Sequence, residues 1–347
     1  MKSFWKNTSG PWGRDLVIRR KHIGDAGVKI LGRHLVLAPM ALNFFHDSYT
    51  DFFDFITLLE RQSEDKKLLI DLGGVREVKA AAILVLYSTI EIIQKKTGDA
   101  NRIKLTTCSQ KRISIPLWKA GFWKLTNQED LLPSYRNSGK GLEICTASCK
   151  ATKSGDDSQL RKVIEYTQSM VLESGLDDEA DLLAYNAITE SVSNVWQHAY
   201  DESFFMGEVN DELAHWWIIV ERIEDQFFIV VYDRGAGIPW TLQQKSWYHL
   251  AFVDAKGHVQ YEIAMDALRI KMAVEYGSSR FKNDNRGKGL AEAKEFVQSN
   301  PMGTMLIFSG YGDYAFYSST GKDELKKLPS NFNGTLIQWN LKLESKK

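Results

Sequence analysis

One predicted helix, residues 178–200, carries an acid, an amide and an imidazole at regular spacing. Glu190, Asn194 and His198 follow one another at intervals of four residues, which places them within roughly 80° of each other around an α-helix. Polar groups in register beside apolar residues such as Val192 and Val195 indicate a candidate functional site. A solvated helix face is the alternative interpretation, and this motif alone does not decide between the two.

A second group of residues follows an apolar strand in "VVYDRGAGIPW", residues 230–240. Asp233 ends the strand, and Gly235 and Gly237 complete a D-x-G-x-G pattern. A carboxylate beside an apolar wall can accept a hydrogen bond from an exocyclic amine, and glycines let a backbone approach a ligand closely. A simple turn would have the same sequence, so this motif is also weak by itself.

A third group opens a predicted helix in "NRGKGLAEAKEF", residues 285–296. Gly287 and Gly289 lie at the helix start, where backbone N–H groups bind anionic phosphate well. Arg286 and Lys288 add positive charge there. An ordinary loop before a helix is the alternative interpretation.

A fourth motif, "GTLIQWNL" at 334–341, is a strand opened by Gly334 and Thr335. In this order, the four motifs resemble those of the GHKL family of ATP-binding domains, shared by gyrase, heat-shock chaperones, mismatch-repair ATPases and histidine kinases. The resemblance covers about residues 155–345. Within it, "NVWQHAY" is most similar to the anti-sigma-factor serine kinases, whose Asn box continues into His-Ala-Tyr or His-Gly-Tyr.

The resemblance implies a GHKL (Bergerat) α/β sandwich with a mixed, mostly antiparallel sheet, and ATP and Mg²⁺ as cofactors. It implies that Glu190 is the general base, that Asn194 binds Mg²⁺ and that Asp233 accepts from the adenine amine. For His198, a contact near the phosphates and structural capping both stay open. The expected ATP-binding residues are Asn194, His198, Asp233, Gly235, Gly237, Arg286, Gly287, Lys288, Gly289, Leu290 and Thr335.

The segment that the resemblance assigns to the mobile lid, residues 240–285, is longer than the minimal kinases need. Within it, "AMDALRIKMAVEYG" at 264–277 has a helical pattern. A lid of this size could bind a partner or gate the site.

The first half of the chain predicts a strand at 66–75, a helix at 80–96, a second strand at 102–108 and a short helix within 111–125 that is closed by Gly121, after an amphipathic helix at 49–62. This alternation favours a sheet covered by helices. The pattern resembles the STAS domain of anti-sigma-factor antagonists over about residues 25–145. An unrelated α/β domain is the alternative.

The STAS resemblance lacks the residue that makes those antagonists switches. In that family a serine in the loop before the helix is phosphorylated, whereas "VKAAAIL" places Lys79, Ala80, Ala81 and Ala82 here. Alanine has no hydroxyl, so the domain is expected to act as a fixed docking or inhibitory module.

In the second half, helices are predicted at 159–174, 178–200 and 289–299, with a hairpin at 215–235 and three further strands at 303–310, 314–320 and 334–344. The polar stretch 149–160 lacks apolar periodicity and indicates a linker. The expected division is therefore an N-terminal arm at 1–24, a STAS-like domain at 25–148, a linker at 149–158 and a GHKL domain at 159–347.

The composition limits the function classes. The chain has 347 residues, with 44 Lys plus Arg against 44 Asp plus Glu, so no net charge points to nucleic acid. No apolar run is long enough to span a membrane. Three cysteines favour a reducing compartment over a disulfide framework, and a cytoplasmic location is expected.

Together, the GHKL and STAS resemblances imply an ATP-binding regulatory protein with slow ATP hydrolysis, whose nucleotide state and lid closure control a protein partner. A serine kinase that phosphorylates a separate STAS-type partner is one alternative, and a non-enzymatic interaction module is another. The sequence does not identify the partner, and it leaves a homodimer open.

Overall fold

The computed structural model describes residues 28–131, 142–173, 178–201, 210–223, 225–244, 265–276 and 289–342. Contacts between Cα atoms divide the chain into two compact units, residues 1–140 and residues 141–347. The predicted N-terminal arm at 1–24 lies outside the described residues.

The first unit contains a four-stranded sheet and a separate pair of short strands. The sheet has the order β1-β2-β4-β6, in which β2, β4 and β6 are parallel and β1 is antiparallel to β2, while β3 and β5 pair in parallel. The strands are β1 (Lys29–Ile30), β2 (Arg33–Leu37), β3 (Ala41–Leu42), β4 (Leu68–Asp71), β5 (Glu77–Val78) and β6 (Ile103–Leu105).

The helices of this unit confirm the predicted strand–helix–strand–helix order. Most of the second helix is buried, and it ends at Gly98, whose left-handed φ of 62° is easy for glycine. The helix predicted within 111–125 ends before Gly121, as expected, and a second short helix follows this glycine, whose φ is 90°. The helices are α1 (Tyr49–Ser63), α2 (Ala80–Thr97), α3 (Lys111–Lys119) and α4 (Phe122–Leu125).

The second unit contains a five-stranded sheet of order β10-β11-β9-β8-β7, in which every neighbouring pair is antiparallel. The hairpin predicted at 215–235 is confirmed by the pairing of β8 with β9. The strands are β7 (Cys145–Ser148), β8 (His215–Ile223), β9 (Gln226–Asp233), β10 (Thr304–Tyr317) and β11 (Lys322–Lys342).

Helices pack on this sheet through one apolar core that includes Ile188, Phe296 and Trp339. Both units therefore have the mixed α/β architecture that the sequence predicts. The helices are α5 (Cys149–Lys153), α6 (Ser158–Glu173), α7 (Asp178–Asn194), α8 (Ile238–Leu242), α9 (Met265–Tyr276) and α10 (Gly289–Ser299).

The boundary between the units lies before the predicted linker at 149–158. Residues 145–148 form β7, which pairs with β8 and so belongs to the second unit. The next five residues form α5, with the Ser148 hydroxyl accepting a hydrogen bond from the Ala151 N–H at its start. A polar five-residue helix has too little apolar periodicity to be visible in the sequence, which is why this stretch was interpreted as a linker.

Two other element boundaries differ from prediction. The strands expected at 303–310 and 314–320 are one continuous strand, β10, with irregular pairing around Gly310 that bends it without ending it. The helix expected at 178–200 is α-helical only to Asn194 and continues as a π-helical segment, Val195–Ala199. The helix predicted inside the lid at 264–277 is confirmed as α9.

The three cysteines, Cys108, Cys145 and Cys149, are buried free thiols. Burial raises the pKa of Cys145 to about 11 and that of Cys149 to about 12. Within the described residues, no helix has both the length and the apolar character needed to cross a membrane.

Candidate functional site

The last turns of α7 and the first residue of α10 meet at one point. A Cβ atom built on Gly289 would lie 2.7 Å from the Glu190 Cβ, 3.1 Å from Glu190 Oε2 and 3.1 Å from Asn194 Nδ2. The structure therefore brings the predicted base, the predicted Mg²⁺ ligand and the predicted phosphate-loop helix together. Glycine is needed at 289 because any side chain there would overlap Glu190 and push α10 away from α7.

Glu190 lies in an environment that favours its protonated form. It is half-buried on α7, and its pKa is raised, first by desolvation and then by the negative charge of Glu292 in the first turn of α10. A carboxyl group whose pKa is raised towards neutrality is better suited to general-base chemistry than an ordinary surface glutamate.

His198 lies in the π-helical segment that follows α7. The wider i→i+5 turns of a π-helix change the angular spacing of side chains. The prediction that Glu190, Asn194 and His198 are evenly spaced around one α-helix is therefore wrong for His198. π-Helical turns often occur at functional sites. His198 is half-buried there, as the fourth residue of the segment.

Asp233 ends β9 in a buried position. Its Oδ1 accepts from the Gly235 N–H at 2.8 Å, and the Thr335 backbone also donates to its carboxylate. Burial raises the pKa of Asp233 to about 7 although these two hydrogen bonds oppose the rise. A buried carboxylate of this kind gains from an additional donor that enters the site.

The turn after Asp233 packs directly on the π-helical segment. A Cβ atom on Gly235 would overlap the Ala199 carbonyl oxygen, and Ala236 N–H donates to that oxygen at 2.8 Å. The room that Gly235 leaves is thus filled by Ala199, which gives this glycine a packing role in addition to the one expected from the resemblance.

Tyr200, directly after the π-helical segment, fixes the same turn. Its hydroxyl accepts from the Arg234 N–H at 2.9 Å and donates to the His215 carbonyl at 2.9 Å. One side chain therefore connects the end of β9 with the start of β8, next to the buried Asp233.

Ser309 on β10 joins this turn to the fourth motif. Its hydroxyl accepts from the Ile238 N–H at 3.0 Å, donates to the Gly334 carbonyl at 2.8 Å, and lies 3.2 Å from the Thr335 hydroxyl. Gly237 has φ 85°, and a Cβ atom there would lie 2.8 Å from Ser309 Oγ. Glycine at 237 is therefore required by both its backbone conformation and its neighbour.

Most of the predicted site residues can now be located. Leu290 is half-buried and packs against the core, and Thr335 is buried beside Asp233, its partner in the β9–β11 register. Arg286, Gly287 and Lys288 lie outside the described residues, as do residues 245–264 and 277–285 of the predicted lid.

Three further residues belong to the site although the sequence did not single them out. Ser309 lies in an ordinary strand pattern, and Glu292 in an ordinary amphipathic helix, so neither carried a local signal. Tyr200 did have one, because it is the last residue of the quoted "NVWQHAY" motif, but nothing in the sequence showed that its hydroxyl bonds to Arg234 and His215.

Comparison with known proteins gives no assignment. No protein-family model matches the chain, and no curated protein sequence is significantly similar to it.

Proposed function

We propose that the second unit binds ATP together with Mg²⁺, in the manner of GHKL domains, and that the protein is a cytoplasmic regulator with slow ATP hydrolysis. Its nucleotide state would control a protein partner. The observation that carries this proposal is the convergence of the four sequence motifs.

The convergence runs through direct contacts. Gly289 of the third motif lies against Glu190 and Asn194 of the first. Ala199, the residue before the last one of the first motif, accepts a hydrogen bond from Ala236 of the second. Motifs that were selected for their order along the chain therefore adjoin one another in space, which an accidental set of turns and helix starts would not be expected to do.

The same pattern joins the fourth motif. Ser309 Oγ bonds to both Ile238 and Gly334, and the Thr335 backbone donates to Asp233. This end of the site combines a buried carboxylate with a close approach of glycine backbones. Those features suit a planar base whose exocyclic amine donates to Asp233 and thereby offsets the desolvation of the carboxylate.

The other end suits phosphate chemistry. The start of α10 favours anions because its first N–H groups have no partner within the helix. Glu190 would orient the attacking hydroxyl and take up its proton. The amide oxygen of Asn194 would bind Mg²⁺, which when bound neutralises charge on the phosphates.

The donor set at this end fits a metal that the nucleotide brings with it. Among the residues that the structure describes, His, Cys, Asp and Glu side chains form no group of three or more that could hold a metal ion. A single amide beside a phosphate site agrees with the usual way proteins bind Mg²⁺, through one or two protein oxygens together with the phosphates of the substrate.

The proposed chemistry is tested by following the γ-phosphate of radiolabelled ATP in the full-length chain. We expect label to appear as inorganic phosphate, and Glu190→Gln to lower the rate by about 10²–10⁴-fold while ATP still binds. Glu295→Gln, an exposed glutamate of α10, is the matched control and should keep the wild-type rate.

Two outcomes would change the proposal. Transfer of the label to a protein serine would favour the kinase alternative over the ATPase. Wild-type turnover by the Glu190→Gln variant would show that Glu190 is not the base.

A further inference from the structure

A partly buried carboxylate connects three elements of the second unit. Asp323 lies at the start of β11, and its Oδ1 accepts from Lys294 Nζ at 2.9 Å and from the Tyr314 hydroxyl at 2.8 Å. Its Oδ2 faces Lys271 Nζ at 3.0 Å. Lys294 is on α10, Lys271 is on α9 and Tyr314 is on β10, so one side chain joins both helices to the β10–β11 hairpin.

This cluster differs from an ordinary surface ion pair. The side chains of Asp323 and Lys294 are 14% and 17% exposed, whereas the neighbouring pair of Glu324 and Lys326 is 48% and 49% exposed. An exposed pair contributes little, but removal of one partner from a partly buried group leaves the other charges uncompensated. Asp323 and Glu324, adjacent along β11, therefore provide a built-in comparison.

Other contacts hold the two lysines in place. Lys294 Nζ lies 4.4 Å from the centroid of the Phe316 ring, a cation–π distance. Lys271 Nζ is also 3.5 Å from Glu275 on its own helix. Burial acts to raise the pKa of Asp323, but hydrogen bonds from Lys294, Tyr314 and Lys271 outweigh it and leave that pKa lowered, so Asp323 is a carboxylate at neutral pH.

The helix that Lys294 belongs to begins at the candidate site. Gly289, five residues before Lys294, is the residue packed against Glu190 and Asn194. Five residues of α-helix span about 7.5 Å, and a helix transmits displacement along its axis as a rigid element. The position of the α10 start relative to Glu190 is therefore set in part by what holds Lys294.

We propose that Asp323 is a positioning residue for the phosphate end of the nucleotide site. Through Lys294 and Lys271 it holds α10 and α9 on the β10–β11 hairpin, and it thereby keeps the start of α10 against Glu190 and Asn194. Recognition of the terminal phosphate of ATP then depends on Asp323, whereas recognition of the base does not. This inference rests on the proposed function, because it assigns a role within the same nucleotide site.

The test compares the binding of ATP and ADP, each with Mg²⁺, to the full-length chain by calorimetry. We expect Asp323→Asn to weaken ATP binding by roughly tenfold, in the range of coupling found for residues that act through others, and to change ADP binding by less than about twofold. Glu324→Gln should leave both affinities unchanged. Asp323→Glu, which keeps the charge, should restore part of the ATP preference.

Lys294→Met provides an independent variant in case Asp323→Asn does not fold. It breaks the link to α10 while its unbranched side chain still covers Phe316, and it leaves Asp323 bonded to Lys271 and Tyr314. It should reduce the preference for ATP as Asp323→Asn does. Variants that keep the wild-type ratio of ATP to ADP affinity would overturn this inference alone, whereas a wild-type chain that binds neither nucleotide would overturn the proposed function with it.

Discussion

At the scale of single residues, Asp233 shows how a candidate binding residue can oppose stability. Burial raises its pKa from 3.8 to about 7, so the folded chain holds a proton more tightly than the unfolded chain does. The contribution of Asp233 to stability is therefore fully present below pH 3.8 and is lost as the pH rises through about 7. At pH 8 the folded protein contains an ionised buried carboxylate that lacks enough donors.

Asp233→Asn should consequently have opposite effects on stability and on binding. The amide removes the buried charge at pH 8 and keeps an oxygen for the Gly235 N–H, so the melting temperature should rise, by about 2–4 °C for each kcal/mol gained. ATP affinity should fall by about 10- to 100-fold, because a hydrogen bond to a charged acceptor is lost. Thermal melts at pH 5 and pH 8 and calorimetry with ATP measure the two effects.

The matched control for this substitution is Asp225→Asn, an exposed aspartate in a loose pair with Lys342. It should change neither the melting temperature nor ATP binding. A lower melting temperature for Asp233→Asn at pH 8 would contradict the account of its buried charge.

Glu292 should affect the pH dependence of turnover. Its charge is one of two causes that raise the pKa of Glu190, and Glu190 can accept a proton only when it is ionised. Glu292→Gln should therefore lower the pKa of Glu190 and move the acidic limb of the pH–rate profile to lower pH. Glu295→Gln, on the exposed side of the same helix, should leave the profile in place, and an unchanged profile for Glu292→Gln would show that the two carboxylates are not coupled.

At the scale of elements, the π-helical segment Val195–Ala199 is the connection between the two ends of the site. It continues the helix of Glu190 and Asn194, and it is followed by Tyr200, whose hydroxyl bonds to Arg234 and His215. Backbone and side chain together thus fix the turn after Asp233 relative to α7.

Tyr200→Phe should loosen that turn without removing any predicted ligand contact. The substitution leaves the Arg234 N–H and the His215 carbonyl without the hydroxyl, and we expect a loss of about 1–3 kcal/mol in the free energy of unfolding together with weaker ATP binding. Urea denaturation and calorimetry test this, with Tyr185→Phe, an exposed tyrosine of α7, as the control. If the two variants had the same free energy of unfolding and the same ATP affinity, Tyr200 would have no role in the site.

The sequence predicted elements better than their connections. Apolar periodicity located α2, α9 and the β8–β9 hairpin, because long periodic runs are decided by burial alone. It missed the continuity of β10 through Gly310, where a bulge keeps the strand paired although glycine and tyrosine resemble a turn. It also missed α5, since a helix of five residues depends on its cap at Ser148 and on tertiary contacts more than on pattern.

The residues of the candidate site could be predicted from the sequence about as well as the secondary-structure elements. Glycines and acids at element ends carry a local signal, which is how Asp233, Gly237 and Gly289 were found. Ser309 has no such signal because its role comes from strands that are distant in sequence, and the register of β10 against β11 brings it to Gly334. Non-local pairing of this kind is not encoded in any short window of residues.

At the scale of the whole molecule, the first unit shows whether phosphorylation at the start of α2 can regulate the protein. Ala81 and Ala82 are fully buried at the start of α2, and the nearby hydroxyls of Ser88 and Thr89 are also buried and bond to the Val85 carbonyl. A kinase could not reach these positions in the folded unit. Phosphorylation adds its charge only at an accessible hydroxyl, so α2 is not expected to be the switch, and the proposed alternative is the nucleotide state of the second unit.

Incubation of the full-length chain with ATP and Mg²⁺ should therefore leave the buried residues Ser88, Thr89 and Ser114 without phosphate. Intact-mass and peptide mass spectrometry measure this directly. Ala81→Ser should also stay unmodified, because the new hydroxyl would be buried, and burial of a polar group should lower stability by about 1–3 kcal/mol. Stoichiometric phosphate on Ser88, Thr89 or Ser114 would contradict the assignment of this unit as a fixed module.

The central claim is that the second unit binds ATP with Mg²⁺, and titration calorimetry of the full-length chain tests it most directly. We expect saturable one-site heat with ATP and Mg²⁺, and weaker ATP binding when EDTA removes the cation. The Asn194→Ala variant should bind ATP more weakly than the wild type only when Mg²⁺ is present. Asp233→Asn should weaken binding with and without the cation. No heat and no thermal shift of the wild-type chain with saturating ATP and Mg²⁺ would contradict the claim, whatever the geometry of the four motifs.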